Sequence, residues 1–220
     1  MKNMHKGINY FLICFILFWS FSCDKCQEKQ IGYYEFTPQD LQINPYYGHE
    51  VILFQNLSGD SLNFSVGDRK TNMIKASQVH QDDCNGNYYM LATNTMVVSS
   101  ISNSWQFSIT LHSYPTATSN IYDKVIEFEA SIPGQSKKTI SNANLLYEPD
   151  TITGYQWNYS DLFFHNSLTV GSKSFTDVYE IELFLQEATL DKWVNKIYYN
   201  IKLGIVGFST NQDELWYLSK

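Results

Sequence analysis

From about residue 44 onward the apolar positions recur every second residue, the period of a strand covered on one face. Trp105, Phe107, Ile109 and Leu111 alternate with Gln106, Ser108, Thr110 and His112, and Tyr179, Ile181, Leu183 and Leu185 alternate with Val178, Glu180 and Glu182. The same pattern predicts strands over 49–55, 61–66, 72–80, 87–99, 105–112, 122–131, 161–170, 175–185, 193–200, 204–209 and 214–218, with a short one at 145–147. Asn56-Leu57-Ser58-Gly59-Asp60, Pro133-Gly134, Gly171-Ser172-Lys173 and Thr210-Asn211-Gln212-Asp213 supply the turn chemistry between them. Thr37-Pro38-Gln39-Asp40 reads as a helix start, with a capping hydroxyl, proline at the first position and an acid in the first turn, and Asn44-Pro45 ends it at once. The expected fold is therefore mainly β. It is an antiparallel meander forming a curled sheet or half-barrel, or else a sandwich, with at most one short N-terminal helix.

Aromatic residues come in adjacent pairs, at Tyr33-Tyr34, Tyr46-Tyr47, Tyr88-Tyr89, Phe163-Phe164 and Tyr198-Tyr199. Neighbours in a strand point to opposite faces, so each pair lying in a strand puts one ring on either side of the sheet. Two readings stay open. The rings lie on the sheet with their hydroxyls in water, since tyrosine favours strands and tolerates partial exposure, or they line a groove for a lipid or glycan. On the second reading Tyr88, Tyr89, Tyr198 and Tyr199 are the ligand-facing aromatics.

The N-terminal segment follows another logic. Lys2 and Lys6 precede an unbroken apolar run over 10–19 that ends in small residues before Cys23. This is the three-part pattern of a secretory signal, and the run is about half the roughly 20 residues that a spanning helix needs. Ser20-Phe21-Ser22-Cys23 resembles the relaxed lipobox of Bacteroidota lipoproteins. That resemblance implies removal of residues 1–22 and lipidation of Cys23, hence palmitate-type chains and an outer-membrane address on the periplasmic or the surface face. Asp24 and Glu28 partly resemble the acidic export stretch of surface-displayed members, which Lys25 and Cys26 interrupt. A flexible tether is expected over 23–32 and a single β-rich domain over 33–220. The stretch 196–208, followed by Leu215-Trp216-Tyr217-Leu218, resembles the closing hairpins of uncharacterised Bacteroidota lipoproteins, and Phe175-Thr176-Asp177-Val178-Tyr179 resembles the strand before them. Some proteins with such endings are thought to share the half-barrel of the LolA and LolB lipoprotein carriers. This implies, as an alternative function, an acyl-binding concave face.

Charge narrows the partners. The formal charge is −7 and becomes −9 once residues 1–22 are gone, because that segment holds Lys2 and Lys6 and no acid. An acidic domain without a Lys/Arg run repels phosphate backbones, so nucleic acid is not an expected partner. The expected partners are the membrane through its lipid anchor, and a glycan, a lipid or an envelope protein. Cys14 leaves with the signal and Cys23 is the acyl acceptor, leaving Cys26 and Cys84 either as a disulfide or as two separate thiols.

Little in the chain points to catalysis. His80, Asp82, Asp83 and Cys84 cluster without a familiar metal-ligand spacing and read as an acidic loop, so no metal and no cofactor are expected. His49, His112 and His165 stand singly. The nucleophile elbow, the phosphate-binding loop and the dinucleotide glycine signature are all missing. Glu127 with Glu129, and Glu180 with Glu182, share strand faces as glycosidase carboxylates could, but such acids are ordinarily the wet side of a sheet. No catalytic residues are assigned. The function expected is non-enzymatic binding or a structural role on a membrane, with a hydrolase as the weakest alternative.

Overall fold

The structure is a computed structural model that describes residues 28–77, 87–102, 104–115, 122–132, 138–141, 145–148, 151–155, 163–185 and 191–219. Its strands are β1 (Lys29–Tyr34), β2 (Val51–Asn56), β3 (Ser61–Val66), β4 (Lys70–Ser77), β5 (Asn87–Ser100), β6 (Gln106–Pro115), β7 (Tyr122–Ser131), β8 (Lys138–Ser141), β9 (Leu145–Glu148) and β10 (Thr151–Tyr155). They continue with β11 (Phe163–Val170), β12 (Lys173–Leu185), β13 (Val194–Asn200), β14 (Gly204–Thr210) and β15 (Leu215–Leu218). One 3-10 turn, Asp40–Ile43, stands where the short helix is expected. Its start is a reciprocal cap: the Thr37 backbone N–H donates to the Asp40 carboxylate at 2.8 Å, and the Asp40 N–H donates to the Thr37 hydroxyl at 3.2 Å.

The chain divides into two compact units, Met1–Tyr33 with Lys75–Met90, and Tyr34–Ile74 with Leu91–Lys220. The division falls inside β1, β4 and β5, so no linker composition marks it. In the first unit a strand begins at Lys29, within the expected tether, because β1 hydrogen-bonds to β5. There the Lys75 ammonium pairs with Glu28 and lies 4.5 Å from the centre of the Tyr88 ring.

The second unit is an antiparallel sheet curled about one core, the half-barrel alternative rather than the sandwich. Hydrogen-bonded pairing runs β5-β3-β2-β15-β14-β13-β12 and returns through β8, β7 and β6 to β5. The link between β12 and β8 spans Leu183 opposite Ser141 to Leu185 opposite Thr139, so the curl is complete at that end. At the other end β9 continues along β7, β10 follows β9, and β11 follows β12, with no pairing among the described residues between β10 and β11.

Alternation places Phe54, Phe64, Phe107, Phe128, Ile181, Ile197 and Phe208 inside and the polar partners outside. The interior is filled. Phe208 lies 5.0–6.5 Å, ring centre to ring centre, from Phe54, Phe64, Trp105, Phe107 and Trp216. Outside, the acids noted in the sequence meet partners across strands: Glu127 is hydrogen-bonded to His112 at 3.0 Å and Glu180 to His165 at 3.1 Å, and Glu180 makes an ion pair with Lys196 at 2.5 Å. The β11–β12 hairpin bends away from the ring at Asp177, whose φ is +53°, and its tip packs over the outer wall, with Lys173 donating to the Ser219 carbonyl. No helix of the described residues is long and apolar enough to cross a membrane.

Candidate functional site

The open end of the curled sheet is stoppered by the chain's own 36–47 segment. Its own Ile43 and Tyr46 are buried, and two tyrosines hold it in place. The Tyr199 hydroxyl donates to the Ile43 carbonyl at 2.6 Å, and the Tyr46 hydroxyl accepts the Ile205 N–H at 2.8 Å. Arg69, the chain's single arginine, donates from its guanidinium to the carbonyls of Asn44 at 2.9 Å and Tyr46 at 2.6 Å, with a longer contact of 3.5 Å to Leu41. The planar fork of five N–H donors suits such carbonyl gathering, which a lysine would not reproduce. Asp40, 3% exposed, closes the other flank through the Lys124 ammonium at 2.6 Å. Burial alone would push this carboxyl up, but the hydrogen bonds from Lys124 and Thr37 outweigh it and hold Asp40 below the usual carboxylate value.

Beside the stopper the turn between β13 and β14 projects outward, shaped by Asn200. Its side-chain oxygen accepts the N–H groups of Lys202 and Leu203 at 2.8 and 2.9 Å, while its amide donates to the Thr176 carbonyl at 2.7 Å and ties the turn to the bend in β12. Two hollows flank this turn. One, of about 480 Å³, lies among Pro38, Leu41, Pro45, Tyr47, Arg69 and Lys202. The other, of about 470 Å³, lies among Thr151, Phe164, Asp177, Tyr179, Asn200 and Lys202. Each has an exposed ring at its edge, Tyr47 at 88% and Phe164 at 48%. Ile201 and Lys202 line both. No group of His, Cys, Asp and Glu fit to hold a metal occurs among the described residues.

The residues expected from sequence distribute unevenly over this geometry. Tyr199 is not ligand-facing: it is fully buried and bonded to the stopper, because the ring it occupies on β13 is the inward one. Tyr198 is half-buried on the opposite face of β13, opposite Glu180. Tyr88 and Tyr89 belong to the first unit, Tyr88 beneath Lys75. Cys23, Cys26 and Cys84, like the cluster from His80 to Cys84, lie outside the described residues. Arg69, Asn200 and Lys202 were not singled out, although a lone arginine and an Asn placed before a Lys-Leu-Gly turn are both legible signals.

Burial raises the phenols of Tyr34, Tyr46, Tyr147 and Tyr199, and in Tyr34 the Asp40 carboxylate adds to it. A raised folded value means the contribution to stability is whole below the unfolded phenol value of about 10 and is lost as pH climbs through the folded values. Alkaline titration should therefore show two classes. Exposed tyrosines ionise first, and these four ionise only together with cooperative loss of the β circular-dichroism signal. A smooth single titration of all tyrosines with the fold intact would refute this.

The described residues thus define a mainly β protein, a curled and self-stoppered antiparallel sheet with two hollows at its stoppered end. No protein-family model, curated protein or solved structure matches the chain.

Proposed function

We propose that this chain is an outer-membrane lipoprotein of the Bacteroidota kind that its N-terminus resembles, lipidated at Cys23, and that its β-rich part binds an envelope glycan or peptide without catalysis. The observation that carries the binding reading is the pair of hollows about the turn at Ile201 and Lys202. Each combines an exposed aromatic face with hydrogen-bonding groups, the usual composition of a site that orients a ligand of mixed polarity. Their lining residues include one carboxylate, Asp177, and no Ser, Cys or His, which supports binding over hydrolysis. The filled interior supports surface binding over the lipid-carrier alternative, which needs room for acyl chains.

Two measurements test the two halves of the proposal. Lipid chains contribute about 0.8 kcal/mol per buried methylene, so anchoring depends wholly on the acylated residue. Cys23→Ala should move the protein from the membrane fraction to the soluble one, and retention in the membrane would end the anchor argument. For binding, the full-length protein is purified gently from a bacterial envelope and examined by native mass spectrometry. A glycan- or peptide-sized adduct, lost on unfolding and weakened about tenfold by Tyr47→Ala or Phe164→Ala, is the expected result; tenfold corresponds to about 1.4 kcal/mol. An acyl-sized adduct indifferent to both substitutions would restore the carrier alternative.

A further inference from the structure

Of the two hollows, the one against the stopper has walls of a single sign. Its charged lining residues are Arg69 and Lys202, both cations, and no Asp or Glu of the described residues lines it. The chain has 22 acids against 15 cations, and Lys75, Lys124, Lys192 and Lys196 each meet a carboxylate. The Lys202 side chain is exposed and has no such partner among the described residues. Arg69 donates to carbonyls, which are dipoles and leave its charge standing. Glu50, the carboxylate whose charge reaches Arg69, has both oxygens occupied, accepting the Tyr47 N–H at 2.6 Å and the Gly48 N–H at 2.8 Å. Asn44, also in the wall, is 1% exposed, and its amide nitrogen has no acceptor among the described residues. A buried donor left without an acceptor is costly. What this wall lacks is therefore acceptors and negative charge.

We propose that this hollow is a carboxylate subsite that takes a uronic-acid residue of an envelope glycan, an inference that rests on reading the two hollows as a binding surface. The carboxylate meets the Lys202 ammonium beside Arg69, a charge-assisted contact that a neutral sugar lacks. The sugar ring lies against Tyr47 at the edge of the hollow, because one face of a pyranose is a row of C–H bonds that suits the negative face of an aromatic ring. An extended peptide finds little footing on the same wall. Peptides of that kind dock through free backbone groups. Here Arg69 takes the carbonyls of Asn44 and Tyr46, the N–H groups of Leu41, Gln42 and Asn44 bond within the segment, and Pro38 and Pro45 have none. The net charge of −7 acts from a distance and is screened over about 8 Å at physiological salt, so contact is decided by the cations of the hollow.

The test uses the full-length protein in detergent, with binding read by titration calorimetry. The probes are oligosaccharides of galacturonic and of glucuronic acid, each beside its carboxyl-reduced counterpart. The acidic forms should bind about tenfold more tightly than the reduced ones, and the preference should shrink as salt rises from about 0.01 M to about 1 M. Lys202→Gln should abolish the preference while leaving affinity for the reduced forms unchanged. The fold should survive, since Lys202 holds its turn through its backbone N–H to Asn200. Lys192→Gln alters net charge equally at the opposite end of β13 and should change nothing. Equal affinity for acidic and reduced forms, both weakened by Tyr47→Ala, would overturn the carboxylate subsite and leave the binding surface standing. Failure of every acidic oligosaccharide to bind would also overturn the subsite, and the binding surface with it only if the envelope adduct is missing too. An oligoglutamate peptide that binds as tightly and is weakened as much by Lys202→Gln would overturn the sugar as source of the carboxylate.

Discussion

Phe208→Ala is expected to cost about 3–5 kcal/mol, a large part of what holds a domain of this size folded. The ring occupies the centre of the filled interior, fully buried, with Phe54, Phe64, Trp105, Phe107 and Trp216 around it. Four of these lie on β2, β3, β6 and β15 and Trp105 directly precedes β6, so no single neighbour can swing in to fill the space without leaving its place in the sheet. The residual cavity adds to the lost transfer energy. Urea unfolding should show the midpoint fall steeply with little change in slope. Phe208→Leu, which keeps most of the volume, should cost well under half as much. A loss below about 1 kcal/mol for the alanine variant would mean that the interior is more compliant than close packing allows.

Gly204→Ala is expected to cost about 2–5 kcal/mol, from two sources that can be separated. The residue has φ of +82°, where a side chain costs roughly 1–2 kcal/mol. A methyl there would also sit 2.3 Å from the Tyr46 ring, an overlap that relaxes at a cost of about 1–3 kcal/mol. The overlap vanishes when Tyr46 is truncated but the backbone strain does not. Gly204→Ala combined with Tyr46→Ala should thus cost less than the two single losses added together. Strict additivity would show that Tyr46 and Gly204 do not share the contact that seats the stopper.

Alternation made most strands legible because one face is buried and the other wet, as in β6 and β12, and the 3-10 turn followed from Thr37, Pro38 and Asp40. Three strands were missed from sequence: β1, which starts within the expected tether, and β8 and β10, which at four and five residues are too short for alternation to register. They are strands because β5, β7, β9 and β12 offer them edges, a tertiary cause that a local pattern does not contain. The site was less legible. Doubled tyrosines mark both faces of a strand without saying which face is interior, so Tyr198 and Tyr199 looked alike. One lies half-buried beside Glu180, and the other serves the core as a hydrogen-bond donor to the stopper. Arg69 and Asn200 act through backbone carbonyls and amides, partners that side-chain patterning cannot reveal.

The place of β15 in the ring has a kinetic consequence. It pairs with β14 on one side and with β2 on the other, Trp216 lying opposite Asn56 and Leu218 opposite Phe54. The two strands are separated by nearly the whole second unit, so their meeting closes one of the longest loops the chain can form. Contacts of that separation slow folding, since the entropy of closure is lost before any pairing compensates for it. Until the last strand arrives, β14 and β2 present bare edges beside unsealed phenylalanines, a species prone to aggregate. A chain lacking only Leu215–Leu218 would thus leave both of these edges without their partner.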